Sequence, residues 1–327
     1  MTKLVTIYGG SGFLGRYIAH RMAKAGWRVR VAVRRPNEAI FVRPYGTVGQ
    51  VEPVFCNIRD DNSVAEVMQV ADAVVNCVGT FDKSGANNFD AVQHLGAERI
   101  ARVAAAQRVA RLVHVSAIGA DGAGDSIYAQ TKAKGEEGVL AHFPKAVILR
   151  PSVMFGPEDD FFNRFAGMSR LGPVLPIIGA DTLFQPVYVD DVAAAAEAAL
   201  TGKAKPGIYE LGGKDVKTFR AWIQQMLKVI HRRRLVLNIP FFFAGFIATG
   251  FDVMQGVTLG LIKNRLVTRD QVKLLRVDNV ARPEMRGLAD LGITPTAVDA
   301  VLPEYLWRFR PSGQYDAIKD SAKNLKA

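Results

Sequence analysis

Lys3-Leu4-Val5-Thr6-Ile7-Tyr8-Gly9-Gly10-Ser11-Gly12-Phe13-Leu14-Gly15 opens the chain with an apolar, β-rich run that stops at a turn with glycines at positions 9, 12 and 15. Glycines permit a tight turn and remove the side chains that would keep an anion away from backbone N–H groups. From Phe13 to Ala25 the apolar residues follow helical spacing, and Gly26 is a suitable helix stop. A helix starting there points its positive end back at the turn, so strand, turn and helix together form a cradle for a pyrophosphate. The bland alternative is a glycine-rich turn that holds nothing. A second strand follows the helix directly, and that context favours the nucleotide.

Outward from this turn, short β-rich runs alternate with helical stretches. Strands are predicted at 3–9, 28–34, 50–58, 73–79, 111–117 and 145–151, with a helix over Phe89–Ala106 among the intervening segments. Several strands are near-continuous apolar runs, as expected where helices cover both faces of a parallel sheet. The pattern predicts an α/β fold, a doubly wound parallel Rossmann sheet with right-handed crossovers. After residue 151 it loosens: Gly156-Pro157 and Gly172-Pro173 mark loops, Val187-Tyr188-Val189-Asp190-Asp191 reads as a strand running into a helix with an acidic first turn, and 207–212 reads as a further strand. Beyond about 215 the chain is helical and basic. The expectation is a Rossmann domain over 1–215 and a smaller, mainly helical, basic and partly apolar docking domain over 216–327.

The end of the second strand chooses the cofactor. NAD binders usually place Asp or Glu there, against the ribose 2′-hydroxyl. Here the strand ends Ala32-Val33-Arg34-Arg35. A guanidinium grips a 2′-phosphate in bidentate fashion, so Arg34 and Arg35 point to NADP(H). The fifth strand is followed by Tyr128 and Lys132, four apart and therefore on one helix face. In that arrangement the lysine can lower the tyrosine pKa and touch the nicotinamide ribose, while the phenol serves as a general acid. Ser116 on the strand can complete the set, with Ser126 as a competitor nearer the tyrosine.

Of all residues 49% are apolar and 22% charged, ordinary for a globular protein. The two cysteines, Cys56 and Cys77, lie in strand-like runs and read as core thiols in a reducing compartment, which argues against a disulfide scaffold or a zinc site. The five histidines lack metal-ligand spacing, and no metal is expected. A strand begins almost at once, with no targeting peptide before it, so the expected setting is the cytosol or the mature form of an imported chain. The net charge of +11 is uneven: residues 1–200 carry 21 Lys/Arg against 20 Asp/Glu, whereas 201–327 carry 21 against 11. The basic third implies an anionic partner, a membrane surface or an acidic protein face; without a nucleic-acid motif, no nucleic acid is expected.

The run 239–251 (Ile-Pro-Phe-Phe-Phe-Ala-Gly-Phe-Ile-Ala-Thr-Gly-Phe) is strongly apolar, but Asp252 interrupts it before Val253–Ile262. It is too short and too broken by Pro and Gly for a membrane span. Bracketed by His231-Arg232-Arg233-Arg234 and Lys263-Asn264-Arg265, it suits an interfacial segment against anionic headgroups or a docking surface on a membrane subunit. The alternative is a buried helix with a solvated basic rim. In a free-standing enzyme the three phenylalanines would more often wall a substrate pocket.

Four features taken together resemble the atypical or extended short-chain dehydrogenase/reductase superfamily over residues 1–215: Gly9–Gly15, the Tyr128/Lys132 pair, the run Leu149-Arg150-Pro151-Ser152-Val153-Met154-Phe155-Gly156-Pro157, and the run Pro186-Val187-Tyr188-Val189-Asp190-Asp191-Val192-Ala193. Within it, Leu266-Val267-Thr268-Arg269-Asp270-Gln271-Val272-Lys273-Leu274-Leu275-Arg276-Val277-Asp278-Asn279-Val280 resembles the NAD(P)H-binding accessory subunits of respiratory complex I, NADH:ubiquinone oxidoreductase, in a bacterial version. The resemblance implies a firmly bound, structural NADPH held far from the flavin. It also implies a peripheral position at the junction of the hydrophilic and membrane arms, close to the quinone site. The partners would be other subunits of the complex and anionic lipid headgroups, on the cytoplasmic face of the bacterial inner membrane, or the matrix side if mitochondrial. Implied nucleotide contacts are Gly9, Gly10, Ser11, Gly12, Phe13, Leu14, Gly15, Arg34, Arg35, Asn57, Ile58, Val78, Gly79, Tyr128, Lys132, Pro151 and Val153. Tyr128, Lys132 and Ser116 stand as a catalytic set, working or vestigial. Two departures matter. Asn57 replaces the family-typical Asp near the adenine, and Ser116 is followed by Ala117 rather than a second serine, which bears on catalysis more than on binding. A free NADP-dependent reductase or epimerase remains the alternative, with Tyr128 donating a proton as hydride passes from the nicotinamide to a carbonyl.

Overall fold

The computed structural model describes residues 2–80, 85–243 and 269–315. Its first unit is built on seven parallel strands: β1 (Leu4–Tyr8), β2 (Arg28–Val33), β3 (Val51–Phe55), β4 (Ala73–Asn76), β5 (Arg111–Val115), β6 (Val147–Pro151) and, after shorter strands, β11 (Gly207–Leu211). Their spatial order is β11-β6-β5-β4-β1-β2-β3. The chain steps outward through β2 and β3, then returns to place β4 on the other side of β1. The gap between β1 and β4 is thus the switch point, where open α/β sheets bind ligands at the carboxyl ends of their strands. Val5, Ile7, Val31, Val74, Val75 and Ile148 are buried, as a sheet covered on both faces requires.

The strands begin close to where the sequence predicts, and all but the run 145–151, which ends at Pro151, stop earlier at their carboxyl ends. The run 50–58 ends at Phe55, 73–79 at Asn76 and 111–117 at Val115. The reason is local hydrogen bonding. The Asn57 N–H donates to Ser63 Oγ (2.9 Å) and the Val78 N–H to Asn76 Oδ1 (3.0 Å), which turns both segments out of the ladder. Helices α1 (Phe13–Lys24), α2 (Asp61–Met68), α3 (Leu95–Ala106), α4 (Ile127–His142) and, later, α6 (Val189–Thr201) cover the sheet. The predicted helix from Phe89 begins as a π-helical turn, Asp90–His94, that leads into α3. Arg21 of α1 chelates Asp190 of α6 through Nε and Nη2, both at 2.7 Å, and reaches Glu197 at 3.1 Å.

The second unit is separate in its packing. It holds α5 (Phe162–Met168), α7 (Phe219–Val229) and the helices Arg269–Leu274 and Val298–Leu306. It also contains three small sheets: β7 (Met154–Phe155) with β10 (Val187–Tyr188), β9 (Leu183–Phe184) with β12 (Lys217–Thr218), and β8 (Val174–Ile178) with β13 (Leu235–Ile239). Its core is aromatic, with Phe155, Phe162, Phe184, Phe219 and Trp222 buried beside Leu302 and Leu306.

The single boundary near 215 gives way to interleaved units. The first comprises 1–152, 189–212 and 281–295; the second comprises 153–188, 213–280 and 296–327. Segment 153–188 leaves the parallel sheet because its aromatics belong to the second core. Segment 281–295 returns to the first because the buried Glu210 on β11 accepts from Arg282 Nη2 (2.7 Å) and from the Arg282 N–H (3.0 Å). Residues 244–262 of the apolar stretch and 266–268 of the run 266–280 lie outside the described residues. Among the described residues no helix is long and apolar enough to cross a membrane.

Candidate dinucleotide site

The glycine turn is held by its own backbone. Gly9 adopts φ +76°, its N–H donates to the Ala32 carbonyl (2.9 Å), and the Gly12 N–H donates to the Gly9 carbonyl (3.0 Å). A side chain cannot be added at the crowded positions. A Cβ on Gly10 would lie 2.9 Å from Val31 Cγ1 and 3.1 Å from the Ile7 carbonyl oxygen. One on Gly15 would overlap the Gly9 carbonyl oxygen and come within 2.7 Å of Gly10 Cα. The first helical turn is therefore pressed against the loop. α1 follows its N-cap Gly12 without a side-chain cap and without an acid in its first turn. Leu14 and Gly15 are buried in this packing, while Ser11, Gly12 and Phe13 reach solvent. A phosphate group fits these residues.

Arg34 and Arg35, just past β2, are both exposed, but they differ. Arg35 pairs with Glu38 at 2.9 Å, whereas Arg34 makes no hydrogen bond or ion pair among the described residues. A third cation, absent from the sequence reading, stands at the glycine turn itself. Arg16 donates through Nη2 to the Ser11 carbonyl (3.2 Å) and through Nε to the Gly12 carbonyl (3.3 Å), with its guanidinium 4.8 Å over the Phe41 ring. Its signal was its place, one residue past the last glycine.

At the carboxyl ends of β4 and β5 the structure gathers the other predicted residues. Val78 Cγ2 would lie 3.2 Å from a Cβ on Gly9, and Gly79 sits near the Lys132 ammonium. Lys132 is buried on α4, donates through Nζ to the Val115 carbonyl (3.2 Å) and lies 6.0 Å from the centre of the Tyr128 ring. The Tyr128 ring meets Phe89 edge-on at 5.9 Å. Tyrosine and lysine share one helix face, as the spacing predicts. The expected electrostatics do not follow. Burial pushes the Tyr128 phenol up to about 12. Burial also pulls Lys132 down to about 8, against the opposing pull of Glu136 and Cys77. Desolvation outweighs the help a charged lysine would give the phenol, so Tyr128 is a firmly protonated group rather than an activated one.

Ser116 is buried, and its Oγ has no hydrogen-bond partner among the described residues. Ser126, its competitor, is the N-cap of α4: its Oγ accepts from the Ala129 N–H at 3.4 Å. The sequence reading missed His114, on β5 two residues before Ser116. Its Nδ1 faces Asn76 Nδ2 at 3.1 Å, its buried Nε2 lacks a partner among the described residues, and burial followed by the Lys132 charge pulls its pKa to about 3. Gln93, also missed, ties this region together. It donates to the Thr80 carbonyl (2.7 Å) and accepts from Thr131 Oγ1 (3.1 Å).

The remaining predicted contacts are more scattered. Asn57 Oδ1 is engaged by the Arg59 N–H at 3.2 Å, and Ile58 packs on the core beneath α3. Pro151 ends β6, where its carbonyl accepts from the Ile118 N–H (3.0 Å). Val153 belongs to the second unit, where its N–H donates to Asn279 Oδ1 (2.9 Å). Both cysteines are free, and burial raises the thiols of Cys56 and Cys77 to about 11 and about 12. Among the described residues no group of three His, Cys, Asp or Glu could hold a metal.

Residues 5–212 match the NAD dependent epimerase/dehydratase family. The chain is 34% identical to the mitochondrial NADH dehydrogenase [ubiquinone] 1 alpha subcomplex subunit 9 of Arabidopsis thaliana, over 95% of this chain and 79% of that protein. It is 30% identical to the mitochondrial NADH-ubiquinone oxidoreductase 40 kDa subunit of Neurospora crassa, over 95% and 80%. In fold it is similar to the Bordetella bronchiseptica enzyme WbmG solved with NAD, with a TM-score of 0.70 at 14% identity, over 97% of this chain and 95% of that one. A glycine cradle at the switch point of a parallel sheet, with this likeness running almost end to end, decides the matter: the chain belongs to the NAD dependent epimerase/dehydratase family and, within it, to the accessory subunits of respiratory complex I.

Proposed function

We propose that this chain is an accessory subunit of complex I that holds NADP(H) as a structural group and stabilises the junction of the hydrophilic and membrane arms near the quinone site. It would sit peripherally, on the cytoplasmic face of the bacterial inner membrane or on the matrix side in a mitochondrion, with other subunits and anionic lipid headgroups as its partners. The observation that carries the reading is the likeness over 95% of the chain to proteins named as subunits of the complex. The site agrees with a structural role. The glycine turn and Arg34 are arranged to bind, whereas Tyr128 sits at about 12, far above the pH at which it would exchange a proton readily. NADP(H), when bound, would supply a hydride-carrying nicotinamide. Here the protein's own residues would orient it: Gly9–Gly15 would take the pyrophosphate, Arg34 and Arg35 the 2′-phosphate, and Lys132 the ribose next to the nicotinamide.

The Tyr128/Lys132 pair favours one second reading, a free NADP-dependent reductase or epimerase acting on a small carbonyl or sugar-nucleotide substrate. Purifying complex I from native membranes of cells carrying wild-type or Tyr128→Phe chain separates the two. The subunit reading expects both chains to travel with the complex and quinone reduction by NADH to stay within about twofold. A chain that travels alone, with a reductase activity abolished by Tyr128→Phe, would establish the second.

A further inference from the structure

The two-stranded sheet β8/β13 in the second unit has one face in the core and one in solvent. Leu175, Ile177 and Val236 point inward. The register pairs Val174 with Leu235 and Pro176 with Leu237, so these four residues share the opposite face. That face is apolar and open: Leu235 is 65% exposed, Leu237 51% and Val174 43%, and neighbouring Leu171 is 88% exposed. A strand whose outer positions are leucines as well departs from the usual apolar-in, polar-out alternation of a half-solvated sheet.

Cations border this face. Leu235 follows Arg232-Arg233-Arg234 directly, and a surface cleft at the end of α7 is lined by Lys228 together with these three arginines. Arg234 donates to the Ser169 carbonyl (2.7 Å) at the start of the β8 approach, next to Arg170. Burial, then the charges of Arg234 and Arg170, pull Arg232 below the ordinary guanidinium value, which marks how closely the like charges crowd. Among the described residues none of Lys228, Arg232, Arg233 and Arg234 forms an ion pair with a carboxylate. The chain has no Asp or Glu between Asp160 and Asp181, nor between Asp215 and Asp252. Clustered like charge beside an exposed apolar plane is costly in water and favourable where headgroup phosphates lie next to hydrocarbon.

We infer that the outer face of β8/β13 and its rim of Lys228, Arg232, Arg233 and Arg234 form the surface by which the second unit lies on an anionic bilayer. This rests on the reading of the chain as a peripheral membrane subunit and names which of its surfaces meets the lipid.

The test uses the full chain and sedimentation with unilamellar vesicles, either of phosphatidylcholine alone or of phosphatidylcholine and phosphatidylglycerol in equal parts. Wild type is expected to sediment with the mixed vesicles and to be released by salt. Lys228→Gln with Arg233→Gln removes two exposed charges and is expected to weaken partitioning on the order of thirtyfold. Leu235→Ser with Leu237→Ser is expected to weaken it on the order of tenfold or more. Both variants change exposed side chains, and an unchanged thermal midpoint confirms that they fold. Equal partitioning of the leucine variant and wild type would overturn the assignment of this face. So would a wild type that ignores both vesicle types while the leucine variant drops out of purified complex I, a result that assigns the face to a protein partner. Failure of the subunit reading is distinct: there, wild type itself is missing from the purified complex.

Discussion

Lys132 is buried in a place that costs the free protein stability. Its folded pKa of about 8 lies below the usual value of 10.5, so the folded chain resists the proton that the unfolded chain accepts. Between those values the unfolded state binds more protons, and stability therefore rises with pH from about 8 to about 10.5. Lys132→Met removes that penalty. It is expected to stabilise the nucleotide-free chain at neutral pH by about 2 kcal/mol, to flatten the alkaline rise, and to weaken nucleotide retention. Chemical denaturation across that pH range checks the first two; a variant less stable than wild type at pH 7 would contradict them. At this scale the sequence was legible where geometry follows from spacing. Gly9, Gly12 and Gly15 fall in the turn, and Tyr128 and Lys132 share a helix face. It was not legible where burial decides. The phenol rises instead of falling, Ser126 serves as a cap, and Arg16 and His114 show their place only once the turn and β5 are built.

One ionic cluster joins the elements around the site. Arg150 on β6 donates to Glu136 on α4 through Nη2 (2.6 Å) and Nε (2.9 Å), and approaches Glu210 on β11 at 3.4 Å. Arg282 completes the cluster from the far segment. Burial would raise Glu210, but Arg282 and then Arg150 outweigh it and hold the carboxyl below its usual value. Removing Glu210 takes the partner of the half-exposed Arg282 and one of the two partners of Arg150, which keeps Glu136. Glu210→Ala is expected to cost about 1–3 kcal/mol in denaturant unfolding and to release segment 281–295 to hydrogen exchange. A loss below about 1 kcal/mol would mean that the cluster is incidental. Glu136 lies one helical turn after Lys132, so the same variant is expected to loosen nucleotide binding modestly. The strands were readable from composition because each is a local apolar run. The cluster was not, because Arg150, Glu210 and Arg282 are far apart in sequence and only the parallel ladder brings the first two together.

Across the whole molecule, sequence reading separated a nearly neutral nucleotide-binding part from a strongly basic remainder. A single cut in the chain could not reproduce the division, because Phe155 and Phe162 pack in the core of Trp222 while Arg282 pairs with Glu210. Local pattern reveals which residues form an element, not which core that element joins. The charge asymmetry narrows between the two units, +4 for the first against +7 for the second, and is concentrated in one cluster. Arg232–Arg234 and Lys228 cluster in the second unit beside the outward leucines of β13, while the first unit keeps the glycine turn and Arg34.

The most direct test of the central claim, that Gly9–Gly15 cradle a dinucleotide whose 2′-phosphate meets Arg34, is a pair of titrations of wild-type and Arg34→Ala chain with NADPH and with NADH. The account predicts that the substitution weakens NADPH by about ten- to a hundredfold, the worth of one charge-assisted contact, and changes NADH by less than about threefold. Equal loss of both, or equal retention of both, would contradict it.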